Sequence, residues 1–123
     1  MERILGKIKT QFEGIHCYPE AGNYLASPHR HMFYVEVTVQ LRHDNRDVEF
    51  IQLKHHVNDF LRSEWGFGGE LGAMSCEMMS RAILNFLNDS LFFKERFLGV
   101  WVYEDGENGA GVEFSPDEVL GGL

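Results

Sequence analysis

His29–Leu41 reads HRHMFYVEVTVQL. In an extended chain His29, His31, Phe33, Val35, Val37, Val39 and Leu41 share one face, while Tyr34, Glu36, Thr38 and Gln40 take the other. β-Branched and aromatic residues fill the apolar face, so this is a half-buried strand with two histidines at its mouth. Upstream, ILGKIKTQFEGIH repeats the period, placing Ile4, Gly6, Ile8, Thr10, Phe12, Gly14 and His16 together. Between the two strands, CYPEAGNYLASP carries Pro, Gly, Asn and Ser at the density of a loop.

Downstream, RHDNRD reads as a polar turn. Phe50, Leu53, Val57, Phe60 and Leu61 then recur at the spacing of an amphipathic helix. The glycine-rich GFGGELGA resembles no phosphate-binding loop in its context and reads as a connector. Ser75 as N-cap and Glu77 in the first turn open a second helix, whose stripe is Met79, Ala82, Ile83, Phe86 and Leu87. FLGVWVYE alternates again, with Leu98, Val100, Val102 and Glu104 on one face, and DGENGAG turns the chain into a short VEF strand ending near Pro116.

The order ββααββ predicts an α+β fold: a four-stranded antiparallel sheet with both helices on one face, the whole of residues 1–123 forming a single domain. So few strands do not readily close into a barrel, and two exposed sheet edges favour pairing with other subunits, hence a homo-oligomer.

Composition bounds the function. The 123 residues are 44% hydrophobic, enough for one modest core. A formal charge of −8, from 19 acidic and 11 basic residues, argues against a nucleic-acid or anionic-membrane partner, which calls for basic surface. No apolar run is long enough to cross a bilayer, and MERILGKIKTQF lacks the residue order of a signal peptide. A soluble, cytoplasmic protein is therefore expected. Two cysteines, Cys17 and Cys76, make no disulfide framework and suit a reducing compartment.

If the first two strands pair antiparallel, the end of one lies beside the start of the other, and His16 meets His29 and His31. An H-x-H pair alone is a common surface pattern; a third histidine at the complementary strand end is what makes a metal centre of it. Three neutral imidazoles leave a fourth position for water or substrate, the layout of a catalytic site. Imidazole ligation favours zinc over magnesium and leaves iron and copper open. His43, His55 and His56 fall in the turn and on the helix away from its apolar stripe, and read as solvent-facing.

Taken together, FEGIH, HRHMFYVEVTV, VEFIQLKHHV, SCEMMSRAIL and VWVYED resemble, in order and spacing, the segments of the 6-pyruvoyltetrahydropterin synthase and 6-carboxytetrahydropterin synthase family, with Arg30 where its H-G-H motif has glycine. The resemblance implies the tunnelling fold, in which ββααββ subunits pair edge to edge into a trimeric barrel and two trimers stack as a hexamer. It implies Zn2+ on His16, His29 and His31, and a pterin substrate, 7,8-dihydroneopterin triphosphate, at a subunit interface. Glu104 takes the family's anchoring role, a carboxylate accepting paired hydrogen bonds from the ring N–H and exocyclic amino group. Ser75, Cys76 and Glu77, through their backbone N–H groups and the Glu77 carboxylate, help hold the heterocycle. The plain alternatives are a solvent-facing Glu104 at a strand end and a Glu77 that simply favours a helix N-terminus.

The chain also departs from that pattern. In C-x-x-x-H-x-H the cysteine's place is held by Leu25. Cys17 and Glu20 are candidate substitutes, since some members of the family use a glutamate, although Cys17 as a strand neighbour of His16 points to the opposite face. The family's Asp-His pair between the helices is missing; Glu64 stands near the aspartate's position, but Trp65 follows it. Two functions thus remain in view: a zinc lyase of pterin or queuosine-type deazapurine biosynthesis, and a non-catalytic relative that binds zinc and a pterin or purine. An oligomer without a small-molecule site is the third.

Overall fold

The computed structural model describes residues 2–66, 68–90, 93 and 95–116. Among them, five strands form one sheet: β1 (Ile4–His16), β2 (His29–Leu41), β3 (Gly69–Gly72), β4 (Leu98–Glu104) and β5 (Asn108–Phe114), in the order β3-β1-β2-β4-β5. Helices α1 (Phe50–Glu64) and α2 (Cys76–Asn88) cover one face, α1 lying on β1 and α2 on β4 and β5.

The period of two seen in the sequence is the core. Ile8, Phe12, Phe33, Val35, Val37, Val39, Leu98, Val100 and Val102 are all buried, and Leu53, Val57, Leu61, Met79, Ile83, Leu84 and Leu87 meet them from the helices. Each such side chain removed from water contributes about 1.5–3 kcal/mol. The α2 stripe is rotated from the expected one: Cys76, Ser80 and Leu84 are buried, whereas Ala82 and Phe86 are only half-buried. The rotation follows from docking on two strands, since the Ser80 hydroxyl lies 2.9 Å from the Ala110 carbonyl of β5.

The helix ends are set locally. Glu49 caps α1 by accepting from the Gln52 N–H at 2.6 Å, and Val48 before it and Leu53 after it are both buried, the spacing of a hydrophobic staple. The end of α1 is closed by Gly66 at φ 66°, whose N–H reaches the Leu61 and Arg62 carbonyls at 3.1 Å. At α2 the Ser75 hydroxyl accepts from the Met78 N–H at 3.1 Å.

The expected four-stranded antiparallel sheet is corrected by β3, which lies in the glycine-rich segment read as a connector and pairs parallel to β1. Gly14 makes room for it, because a Cβ there would approach Leu71 Cδ1 to 2.7 Å and Phe33 Cε2 to 3.2 Å. The β1–β3 register slips between Ile15 and His16. Such an irregularity re-aims a strand end, and here it falls beside a histidine.

At the far end of the sheet, the buried Arg96 guanidinium donates to Asp47 at 2.7 Å and to the Gln40 carbonyl at 2.9 Å. The hydrogen bond from the Arg42 backbone N–H, and then that from Arg96, hold the Asp47 carboxyl below its ordinary value. A depressed carboxylate stabilises the fold above its unfolded pKa and loses that contribution as pH falls through the folded value. Asp47→Asn is therefore expected to lower the urea midpoint at pH 7 and to make stability less sensitive to acid below about pH 4. Equal midpoint differences from the parent at pH 7 and pH 3 would contradict this.

Candidate metal centre

Antiparallel pairing of β1 with β2 sets His16 opposite His29 and Gly14 opposite His31. The two strands thus deliver their histidines to one end of the sheet, on its helix-covered face. Ring centroids lie 4.6 Å apart for His16 and His29, 5.1 Å for His16 and His31, and 4.9 Å for His29 and His31. One ring nitrogen from each lies within 4.8 Å of the others, a group that can hold a metal ion.

Each ring is aimed through its other nitrogen. His16 Nδ1 donates to the Met74 carbonyl at 2.8 Å, His29 Nδ1 to the Ser27 carbonyl at 2.9 Å, and His31 Nδ1 to Asp105 Oδ2 at 2.6 Å. A carbonyl or carboxylate oxygen only accepts, so these partners assign the proton to Nδ1 and leave a lone pair on Nε2 in the neutral ring. Carbonyl and carboxylate partners of this kind accompany metal-bound histidines because they fix tautomer and orientation. Phe33, fully buried, meets His16 edge-on at 5.1 Å and His31 at 5.6 Å, holding both rings from beneath.

The residues present fit a metal ion. His16 is 7% exposed, and its Nε2 is buried without a hydrogen-bond partner. A buried nitrogen left in that state is costly unless something positive faces it.

Asp105 carries more than its turn position suggests. It sits at φ 54°, its Oδ1 accepts from the Met32 N–H at 3.0 Å, and its own N–H reaches the Met32 carbonyl at 2.8 Å. The His31 hydrogen bond, followed by that from Met32, holds its carboxyl below the ordinary value. Asp105→Ala is expected to weaken divalent-metal binding about 10- to 100-fold, the effect of losing an outer-shell partner. Chelator competition measures it, and an unchanged affinity would count against a role for Asp105.

Of the other expected site residues, Glu104 reaches the cluster, with Oε2 3.1 Å from His16 Nε2 and 3.7 Å from His31 Nε2. Cys76 is buried at the start of α2, its thiol pushed up to about 12 by burial and then by the Glu104 and Glu77 charges, so it is protonated at neutral pH. Glu77 is exposed in the first turn of α2, and Ser75 is occupied as its cap. Cys17 is half-buried, its N–H bound to the Gly72 carbonyl at 2.9 Å, and Glu20 is exposed in a short 3-10 turn, Pro19–Ala21. Glu64 is not brought to the histidines; it lines a groove between the helices with His56, Phe60 and Phe86. His43, His55 and His56 are exposed, as expected, although the His56 ring also packs on Phe86 at 4.7 Å.

Asp105 and the Met74 and Ser27 carbonyls were not legible as site groups from the sequence. The signal for Asp105 was its place directly after Glu104, because Phe33 pairs with Glu104 and the next turn necessarily falls beside Met32 and His31.

Fold and site together define the class: an α+β subunit with a five-stranded, mostly antiparallel sheet, two helices on one face, and three histidines delivered to one end of the sheet. No protein-family profile and no curated protein matches the sequence. Solved structures do match. A variant of Plasmodium vivax 6-pyruvoyltetrahydropterin synthase, in which a catalytic glutamate is replaced by alanine, superposes with a TM-score of 0.67 at 15% identity, over 91% of this chain and 99% of that one. The Plasmodium falciparum enzyme gives 0.65 at 15%, over 90% and 98%, and a further P. vivax structure gives 0.65 at 17%, over 91% and 99%. The chain has the 6-pyruvoyltetrahydropterin synthase subunit fold. None of its described helices is long and apolar enough to cross a membrane.

Proposed function

We propose that this chain is a zinc-dependent lyase of the 6-pyruvoyl- or 6-carboxytetrahydropterin synthase type, acting on 7,8-dihydroneopterin triphosphate or a related pterin. Pterin and queuosine-type deazapurine biosynthesis are the pathways it suits. The observation that carries the reading is the convergence of three Nε2 lone pairs, each aimed by an acceptor on Nδ1, within this fold.

His16, His29 and His31 would hold the ion, which would supply Lewis-acid polarisation of a hydroxyl or carbonyl on the substrate's side chain. The rest falls to the chain itself. The Glu104 carboxylate accepts from the ring N–H and amino group of the heterocycle, and backbone N–H groups at the start of α2, around Ser75, Cys76 and Glu77, supply further donors. Glu20 is the favoured base, because it is exposed on the loop joining His16 to His29 and because a glutamate is catalytic in the P. vivax enzyme. Cys17 is the weaker candidate, since its backbone is tied to Gly72 at the opposite side of the strand end. Among the described residues β3 and β5 are the outer strands with unpaired edges, which suits edge-to-edge assembly into a homo-oligomer, a dimer of trimers in this reading. A cytoplasmic location agrees with two unpaired cysteines.

A non-catalytic zinc- and pterin- or purine-binding protein is the second reading, favoured by Leu25 at the cysteine's place and by the protonated Cys76. Incubating zinc-loaded protein with 7,8-dihydroneopterin triphosphate and separating the products decides between them. A pyruvoyl- or carboxypterin that disappears with His29→Ala establishes the enzyme. Tight substrate binding with no product at high protein concentration establishes the second reading.

A further inference from the structure

Resting on the reading of the three histidines as metal ligands, we infer that Glu104 is the fourth: its carboxylate closes the centre in the free protein and is displaced when substrate arrives. The placement is a product of the sheet. Glu104 ends β4, two residues on from the buried Val102 and on the same face, and it pairs in register with Phe33, whose ring supports His16 and His31. Its side chain therefore emerges over the cluster rather than toward solvent.

Two ligands bound about 2.0–2.1 Å from a tetrahedral zinc ion stand about 3.3 Å apart, from the bond lengths and the tetrahedral angle. Glu104 Oε2 lies 3.1 Å from His16 Nε2 and 3.7 Å from His31 Nε2, on either side of that edge length, while His29 stands farther off than 4.0 Å, so the carboxylate has to swing toward His29 to complete the centre.

The contact is not a hydrogen bond. His16 Nδ1 is committed to the Met74 carbonyl, and Nε2 has no hydrogen-bond partner despite the 3.1 Å approach of Oε2; in the neutral ring the two atoms face each other as acceptors. Two such atoms held this close repel unless a cation lies between them. No N–H or O–H donor among the described residues hydrogen-bonds to the Glu104 carboxylate, which leaves its charge available to an ion.

A closed centre has a functional consequence. The same carboxylate cannot bind the metal and accept hydrogen bonds from a heterocycle in the same geometry, so arrival of the heterocycle opens the fourth position. Glu104 links occupancy of the ring pocket to exposure of the metal.

The test uses the full chain loaded with zinc or with cobalt(II), comparing wild type, Glu104→Gln and Glu104→Ala, with circular dichroism confirming the fold of each. Both variants are expected to bind zinc at least about tenfold more weakly in chelator competition, since losing a ligand outweighs losing an outer-shell partner. Thiocyanate is expected to shift the cobalt absorption of Glu104→Ala at concentrations that leave the wild-type spectrum unchanged. Equal zinc affinities and equal thiocyanate responses in all three proteins would overturn the role of Glu104 while leaving the three-histidine centre standing. Failure of wild type to bind either metal would overturn both.

Discussion

His16→Ala abolishes stoichiometric zinc binding: that is the expected result with the largest effect on function. His16 is the buried member of the set, whereas His29 and His31 are half-buried on the neighbouring strand. It is also the ligand that ties β1 to the segment after β3, through the Met74 carbonyl. Removing the ring leaves only two histidines, both from one strand, and a carbonyl that has lost its donor. The affinity loss is expected to reach about a hundredfold or more, beyond what outer-shell changes produce, and the orphaned carbonyl adds a cost on the order of 1–3 kcal/mol to the metal-free fold. Wild type should gain about 4 kcal/mol of stability at a zinc concentration a thousand times its Kd, and the variant almost none at that concentration. Equilibrium dialysis with metal analysis, together with urea unfolding in the presence and absence of zinc, measures both. A variant that retains one tightly bound zinc per chain would refute the centre.

The largest effect on stability is expected from Phe33→Ala. Phe33 is fully buried, stacks on Phe12 at 5.4 Å between centroids, and Phe12 in turn stacks on Trp65 at 5.5 Å. Truncating an aromatic ring in such a position costs about 3–5 kcal/mol, a large fraction of the stability of a small domain. Because the same ring supports His16 and His31, zinc affinity should fall as well, although no ligand is changed. Phe33→Leu, which keeps most of the volume, should recover much of both. Urea midpoints and chelator competition on the same samples check the coupling; destabilisation with unaltered zinc affinity would show that the ligands hold their positions without the ring beneath them.

The strands and the histidine group were legible because both rest on a rule of period two. Once β1 and β2 are antiparallel, His16 must face His29, and no long-range information is needed. β3 was not legible: GELG is too short to alternate, only Leu71 in it is buried, and its parallel pairing with β1 depends on a space left by Gly14 far upstream. The stripe of α2 was misplaced by part of a turn because its docking on β4 and β5 is a tertiary choice. Glu64 looked like a site residue by its place in the chain, yet the turn of α1 carries it into the interhelix groove.

Two of the three histidines are oriented by main-chain carbonyls, at Met74 and Ser27. A carbonyl is present whatever side chain the residue carries, so substitution at position 74 or 27 leaves the orienting group in place as long as the chain keeps its path. Asp105 is the one orienting partner that a single substitution can delete. The centre is consequently written more in the course of the backbone than in the letters around it. Side chains around such a centre can therefore change at many positions without removing the groups that aim two of its histidines.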